Sequence, residues 1–158
     1  KFGLKKITSG YESFSAGKKR NLININNINF LPLICYEIIY SGKINPNFGN
    51  FDLIVNISED GWFGSSVGPY QHFAHSIFRS IEYGKYTLRS ANNGISAIID
   101  PSGTILDMVN INNEGVISIR EIVNVDKTIF STYGNKIYFL IILLYIFFIF
   151  SFKKIINE

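Results

Sequence analysis

The sequence predicts an α/β fold followed by one carboxyl-terminal transmembrane helix. Short apolar runs rich in β-branched residues alternate with turns that contain Gly, Asn and Pro. One segment, residues 69–84, instead spaces its apolar residues as a helix does. A last run, residues 137–152, is apolar on every side and carries no charge. The 158 residues are enough for one domain with its own core.

Composition excludes several classes of function. The formal net charge of +3 is mild and scattered, so we expect no nucleic-acid partner. A single cysteine, Cys35, excludes an intramolecular disulfide framework and a cysteine-rich metal site. His72 and His75 stand three apart, whereas helical metal pairs use a spacing of four and a third ligand. We therefore expect neither a metal nor another cofactor.

The first part of the chain predicts a loop and then a β-hairpin. Residues 1–21 have no clear period and are predicted to be a loop. Residues 22–25 alternate in part, and the Asn-Asn pair at 26–27 tolerates positive φ, as a two-residue hairpin turn requires. Residues 28–35 complete the hairpin. Pro32 lacks a ladder donor, so we expect an edge position or a bulge there.

Cys35 is the candidate nucleophile. A strand that ends on a nucleophile and then turns into a helix or loop exposes the reactive atom beside free backbone N–H groups. A carboxylate, Glu37, follows two residues later. A lone cysteine is more often a small buried hydrophobe, and this stretch alone leaves that alternative open.

A second strand leads into a loop that suits a ligand. Residues 51–57 are almost continuously apolar, which is typical of a strand buried on both faces. Residues 58–64 then form a polar loop at the carboxyl end of that strand, where ligands gather in α/β proteins. Trp62 and Phe63 lie in this loop and are predicted to form a substrate-facing wall, with core packing as the alternative.

The helix at 69–84 is predicted to bury the stripe Phe73, Ile77 and Ile81 and to end at Gly84. A surface ion pair between Arg79 and Glu82 is expected on it. Strands are then predicted at 86–91, 95–99, 104–109 and 116–122, with turns at 92–94 and 100–103.

The apolar run at 137–152 is predicted to cross a membrane, with a buried core helix as the alternative. As a helix it would be about 24 Å long, against a hydrocarbon core of about 30 Å. Lys136 on one side and Lys153 and Lys154 on the other can extend to the two interfaces. The predicted organisation is a domain at 1–134, a transmembrane helix at 136–153 and a cytoplasmic tail at 154–158. The domain would face the periplasm.

Five motifs in order carry a family resemblance. They are Ile-Cys-Tyr-Glu-Ile at 34–38, Asn-Ile-Ser-Glu-Asp-Gly-Trp-Phe-Gly at 56–64, Gly-Pro-Tyr-Gln-His at 68–72, Leu-Arg-Ser-Ala-Asn-Asn-Gly at 88–94 and Asp-Pro-Ser-Gly at 100–103. In this order, and followed by an apolar run, they resemble the carboxyl-terminal part of the bacterial apolipoprotein N-acyltransferases. These are integral membrane members of the nitrilase superfamily. The resemblance covers essentially the whole chain.

The resemblance implies part of a nitrilase-like αββα sandwich in the inner membrane. Cys35 would take a fatty acyl group from a phospholipid as a thioester and pass it to the α-amine of a diacylglyceryl-modified apolipoprotein. The backbone N–H of Tyr36 would help bind the oxyanion. Glu37 matches a supporting carboxylate, although it could simply begin a helix. Trp62 and Phe63 would contact substrate.

The chain departs from the family pattern upstream of the cysteine. The family's triad Glu and Lys lie well before it, whereas 34 residues precede Cys35 here and neither Lys5, Lys6 nor Glu12 matches the motifs. We therefore expect a fragment that is inactive alone, with an amino-terminal half on a separate chain as one candidate partner. The alternatives are an amidase or nitrilase that hydrolyses C–N bonds and an inactive remnant of a split gene.

Overall fold

The computed structural model describes residues 20–42, 44, 51–123 and 125–156, with side chains of the last helix described as far as residue 152. The loop predicted at 1–21 therefore lies almost entirely outside the described residues, as does most of the stretch 43–50.

The described residues contain a six-stranded mixed sheet. Its strands are β1 (Ile23–Ile25), β2 (Ile28–Ile34), β3 (Leu53–Glu59), β4 (Tyr86–Asn92), β5 (Ser96–Ile99) and β6 (Ile105–Val109). The spatial order is the chain order, β1-β2-β3-β4-β5-β6. β2, β3 and β4 are parallel, and the outer pairs are antiparallel. The carboxyl ends of three parallel strands therefore meet at one edge of the sheet.

Helices connect and flank these strands. Two 3₁₀ helices, Cys35–Ile39 and Gly61–Phe63, follow β2 and β3 directly. The α-helices are α1 (Gly68–Tyr83), α2 (Ile129–Tyr133) and α3 (Lys136–Ile156). α1 packs on β4, β5 and the first 3₁₀ helix. This packing places the amino-terminal turns of α1 beside the carboxyl ends of the parallel strands.

Two apolar clusters form the core beneath α1. The larger cluster joins β2, β3, the first 3₁₀ helix and the end of α1, and it comprises Leu31, Leu33, Ile38, Ile44, Phe51, Ile54 and Tyr83. The smaller cluster comprises Phe73, Ile95, Ala97 and Ile99, with Ile77 packed against it. The first 3₁₀ helix is thus anchored in the core through Ile38, which is fully buried.

Local turn chemistry was predicted correctly. The hairpin of β1 and β2 turns at Asn26 and Asn27, both at positive φ. α1 ends at Gly84, which adopts the left-handed conformation. Pro32 lies beyond the three-residue ladder between β1 and β2, so within the described part of the sheet β2 is an edge strand at that point, as its missing donor requires.

Three predictions about the same elements were wrong. β3 is not buried on both faces along its whole length: Leu53 and Ile54 are buried, but Ile57 is 60% exposed. Residues 116–122 form no strand, since the chain leaves the sheet after β6. The buried face of α1 is more polar than the predicted stripe. Ile81 is exposed, while His72, Ser76, Arg79 and Ser80 are buried.

α3 carries apolar side chains that the other described residues leave uncovered. It contacts α2, and its apolar side chains from Tyr138 to Phe152 are exposed. Within the part of the chain whose residues are described, no helix has the length and the apolar character needed to cross a bilayer. The predicted transmembrane helix therefore stays a prediction.

Candidate active site

Cys35 occupies the junction between β2 and the first 3₁₀ helix. It is half-buried, and its φ of +50° lies in the left-handed region that side chains with a Cβ rarely adopt. Such strained positions cluster at active sites, where surrounding contacts hold them. The strand and the sharp turn that the sequence predicted around Cys35 are therefore present.

The side chain of Asn56, on the neighbouring strand β3, forms hydrogen bonds with the backbone of this junction. Its Nδ2 donates to the carbonyl of Leu33 at 3.0 Å and to that of Cys35 at 3.4 Å. Asn56 is fully buried, so the two bonds are shielded from water. The side chain thereby fixes the backbone on both sides of the turn.

Glu37 secures the start of the 3₁₀ helix. Its Oε2 accepts the backbone N–H of Ile34 at 2.8 Å, which satisfies one of the donors left free at a helix start. Its Oε1 pairs with Arg20 Nη2 at 2.6 Å, and Arg20 also donates to the carbonyl of Ile44. The contacts of Glu37 match the alternative in which it begins a helix. Its predicted part in chemistry stays a prediction.

A buried charge network lies next to the Asn56 contacts. Asp60 is fully buried, and its carboxylate forms hydrogen bonds with three side chains: Ser58 Oγ at 2.7 Å, His72 Nδ1 at 2.9 Å and Arg89 Nη2 at 2.7 Å. Arg89 also donates to Asn56 Oδ1 and to the carbonyl of Ile95. The network therefore runs unbroken from Asp60 to the backbone of the cysteine turn.

Asp60 is ionised in this setting. Burial by itself would raise its pKa, but the hydrogen bonds from His72 and Ser58 and the charge of Arg89 outweigh burial, so the pKa of Asp60 lies below its ordinary value. Burial lowers the pKa of Arg89, and the neighbouring Asp60 carboxylate partly offsets that effect. Asp60 and Arg89 thus form a compensated buried ion pair.

The network reaches the thiol through one side chain. Ser58 Oγ lies 3.7 Å from Cys35 Sγ, within reach of a sulfur hydrogen bond, while it holds Asp60. Cys35 is therefore contacted at its backbone carbonyl by Asn56 and at its sulfur by Ser58. Both contacting residues lie on the same face of β3.

An aromatic group covers the network. The ring centroid of Tyr36 lies 5.1 Å from that of His72 and 6.2 Å from that of Phe63. Phe63 meets His72 edge-on at 5.7 Å. His72 Nε2 is buried without a hydrogen-bond partner. Phe63 thus packs beside the cysteine turn, whereas its neighbour Trp62 is 74% exposed.

Glu59 fixes the loop that carries Trp62 and Phe63. Its carboxylate accepts the backbone N–H of Gly61 at 2.7 Å and the side-chain amide of Asn92. The hydrogen bond from Asn92 is the main reason that the pKa of Glu59 lies below its ordinary value. The loop is therefore tied to the end of β4.

Arg79 supports the opposite end of the first 3₁₀ helix. It donates to the carbonyl of Ile39 at 3.1 Å and pairs with Glu82 at 2.8 Å. The predicted pair of Arg79 and Glu82 is present, but it is largely withdrawn from the surface, since the Arg79 side chain is 4% exposed and that of Glu82 is 17% exposed. Burial raises the pKa of Glu82, although hydrogen bonding from Ser41 and the charge of Arg79 oppose the shift.

The structure thus brings Cys35, Tyr36 and Phe63 together and leaves Trp62 exposed. It adds side chains to which the sequence gave no role: Asn56, Ser58, Asp60, His72 and Arg89. One sequence signal could have indicated three of them, since the polar residues Asn56, Ser58 and Asp60 alternate along the end of a largely apolar strand and the position just after it. Among the described residues no group of three or more His, Cys, Asp or Glu is placed to hold a metal ion.

Comparison with known proteins connects this arrangement to one family. The sequence profile of the carbon-nitrogen hydrolases matches residues 9–126. The chain is 40% identical to the apolipoprotein N-acyltransferase of Rickettsia bellii, over 96% of this chain and 31% of that protein. The corresponding enzyme of Rhizobium rhizogenes is 35% identical over 83% of this chain and 26% of its own length. The chain therefore spans about a third or less of these relatives.

Solved structures share the fold at low sequence identity. A CN-hydrolase superfamily protein of Xanthomonas campestris matches with a TM-score of 0.51 and 17% identity, over 64% of this chain and 43% of that one. An amidase from Nesterenkonia sp. matches with a TM-score of 0.50 and 14% identity, over 63% of this chain and 41% of that one. At such identities the likeness concerns the fold alone.

Proposed function

This chain belongs to the carbon-nitrogen hydrolase family, and we propose that it is the carboxyl-terminal part of an apolipoprotein N-acyltransferase with Cys35 as the nucleophile. The observation that carries the proposal is the strained turn at Cys35, at the carboxyl edge of the parallel strands and in contact with a buried polar network. The similarity to named acyltransferases over 96% of the chain supports the choice of reaction.

In the first half-reaction Cys35 Sγ becomes acylated. A base takes the thiol proton, and the thiolate attacks the ester carbonyl carbon of a phospholipid acyl chain. A C–S bond forms, the ester C–O bond breaks, and the lysophospholipid alcohol leaves with the proton that the base returns. The backbone N–H of Tyr36 lies in the first turn of the 3₁₀ helix, where donors lack helical partners, and it is proposed to bind the oxyanion.

In the second half-reaction the acyl group passes to an amine. The neutral α-amine of a diacylglyceryl-modified apolipoprotein attacks the thioester carbonyl, a C–N bond forms and the C–S bond breaks. The amine proton passes through the base to the cysteine thiolate. Part of the proposal is that the base Glu and a charge-stabilising Lys come from outside the residues described here, on the same polypeptide or on a second chain.

Trp62 and Phe63 are proposed to contact the lipid substrate. Phe63 packs against Tyr36, the residue after the nucleophile, and Trp62 presents its indole to the outside of the same loop. The segment 61–70 carries no charged side chain, which suits contact with an acyl chain. Glu37 is proposed as a supporting carboxylate through its hold on the 3₁₀ helix.

α3 is proposed to anchor the domain in the inner membrane, with the domain on the periplasmic side. Its 16 uncharged residues, 137–152, would extend about 24 Å, against a hydrocarbon thickness of about 30 Å. Its apolar side chains face outward on all sides, which is costly in water and favourable in lipid. Lys136 and Lys153 would lie at the two interfaces.

Mass spectrometry of the peptide that carries Cys35 tests the proposal. The protein is taken from native membranes before and after a diacylglyceryl-modified peptide is added. We expect a hydroxylamine-sensitive fatty acyl mass on Cys35 that is lost when the peptide is added and reappears on the peptide's amine. Cys35→Ser should abolish the transfer.

Two other outcomes would decide between the alternatives. Discharge of the acyl group to water, with no acylated peptide, would indicate a hydrolase of the amidase or nitrilase kind. A Cys35 that stays unmodified, in membranes where the peptide is not acylated, would indicate an inactive remnant.

A further inference from the structure

Ser58 is the one side chain among the described hydrogen bonds that links the buried network to the reactive sulfur. Its Oγ lies 2.7 Å from Asp60 Oδ1 and 3.7 Å from Cys35 Sγ. Ser58 is 6% exposed, so water has little access to either contact. A serine hydroxyl has one proton to donate and two lone pairs that accept.

The single proton of Ser58 belongs to Asp60. An ionised carboxylate can only accept, and its hydrogen bonds are stronger than those of neutral partners. His72 and Arg89 hold Asp60 in place from two other directions, so the carboxylate cannot turn away from Ser58. The hydroxyl oxygen therefore has only lone pairs to offer to the sulfur.

We propose that Ser58 is a positioning residue for Cys35: it accepts a hydrogen bond from the thiol S–H and so holds Sγ in one orientation at the edge of the sheet. The proposal rests on the proposed function in that Cys35 is taken to be the nucleophile. Because the O–H of Ser58 points to Asp60, a lone pair of Ser58 Oγ faces the sulfur and accepts the S–H hydrogen bond from one fixed direction. The base that removes the thiol proton must then displace this hydrogen bond.

Vibrational spectroscopy observes the bond directly. Cys35 is the one cysteine of the 158 residues, so the S–H stretching band of the detergent-solubilised chain reports this thiol alone. We expect the band of the native chain to lie at lower frequency than that of an alkanethiol in an apolar solvent, where the S–H has no acceptor. Ser58→Ala should raise the native frequency, and Ser58→Thr, which keeps a hydroxyl, should restore it.

Ser80→Ala is the matched control. Ser80 is also fully buried and donates one hydrogen bond, to Thr87 Oγ1 at 2.7 Å, between α1 and β4. A general loss of packing from a buried serine would affect both variants, whereas the S–H frequency should change only in Ser58→Ala.

Alkylation by iodoacetamide gives a second readout. Loss of an acceptor for the thiol proton favours the thiolate, so Ser58→Ala should raise the rate at pH 7 about threefold, equivalent to a weak hydrogen bond. Ser58→Thr and Ser80→Ala should keep the wild-type rate. The rate is read on the Cys35 peptide by mass spectrometry.

The outcomes separate this proposal from the acyltransferase proposal, because neither measurement needs a lipid or an acceptor. An S–H band of the native chain at the frequency of the alkanethiol in an apolar solvent would overturn the proposal without any variant, even if Ser58→Ala failed to fold. A slower alkylation of Ser58→Ala would also overturn it, since the hydroxyl would then be a donor to the thiolate. Failure to acylate a peptide would leave both measurements unchanged.

Discussion

Asp60→Asn tests whether the buried carboxylate organises the site. The substitution keeps the size and shape of the side chain and removes its charge. Asp60 is fully buried and accepts from Ser58, His72 and Arg89. Asparagine leaves these three groups with a neutral partner and leaves the charge of Arg89 uncompensated.

The cost follows from those three contacts. A hydrogen bond to a charged group contributes about 1 kcal/mol more than one between neutral groups, so the loss of charge at three contacts costs about 3 kcal/mol. Independently of these hydrogen bonds, removing one charge of a buried ion pair costs about 3–5 kcal/mol. The two estimates overlap, and we expect a decrease of about 3 kcal/mol in the free energy of unfolding at pH 7.

Urea denaturation of the chain in a mild detergent, followed by far-ultraviolet circular dichroism, measures this decrease. The folded-state pKa of Asp60 lies below its unfolded value of about 3.9. The stabilisation by the carboxylate is therefore complete above the unfolded pKa and is lost as the pH falls through the folded pKa. The difference between wild type and Asp60→Asn should be constant from about pH 5 to 7 and shrink below about pH 4.

Asp100→Asn is the matched control, because Asp100 also accepts several hydrogen bonds, from Ser102 and Thr104, but lies in an exposed turn. We expect it to cost under about 1 kcal/mol, since solvent screens that site. The reasoning would be refuted if Asp60→Asn cost no more than Asp100→Asn, or if its cost did not depend on pH in the acid range.

Three further substitutions test separate contacts. Gly94→Ala would place a Cβ 2.4 Å from the Oδ2 atom of the immobile Asp60, and should lower the free energy of unfolding by about 2 kcal/mol; an unchanged urea midpoint would contradict this. Glu37→Gln keeps an acceptor for the backbone N–H at the helix start and loses only the partly exposed pair with Arg20. It should therefore lower the free energy of unfolding, measured in urea, by under about 1 kcal/mol. Glu37→Ala also removes the acceptor and should lower it by about 1 kcal/mol more. Equal costs for the two Glu37 variants would show that the cap contributes nothing. Gly84→Ala forces a Cβ into the left-handed turn that ends α1 and should cost about 1 kcal/mol, seen as a lower thermal midpoint; a rise in the midpoint would argue against that turn.

The parts of the fold that the sequence predicted are those set by neighbours along the chain. The hairpin turn at Asn26 and Asn27 and the end of α1 at Gly84 depend on the φ values that these residues tolerate. Residues 116–122 have strand-forming side chains, yet they pair with nothing in the described sheet. A strand needs a partner, and the choice of partner is a tertiary event that local propensity does not contain.

In the candidate site too, the features set by neighbours along the chain were predicted and those set by tertiary contacts were not. Cys35 and its turn follow from a strand ending on a nucleophile, which is a local pattern. The buried network does not, because Arg89 and Asn56 are brought opposite one another only by the register of β3 on β4. The buried position of His72 was not predicted, since the apolar stripe of α1 predicted another buried face. A polar helix face is recognised as buried only once its partners are known.

The sheet order has a consequence for folding kinetics. The antiparallel ladders close connections of two to five residues, whereas the parallel ladders of β2 with β3 and of β3 with β4 close connections of 18 and 26 residues. Contacts that are close in sequence close short loops, and such topologies fold faster than those built on remote pairings. During synthesis β1 to β6 can therefore assemble in the order in which they leave the ribosome. Because β6 ends at Val109 and α3 begins at Lys136, the sheet can form before the apolar helix emerges.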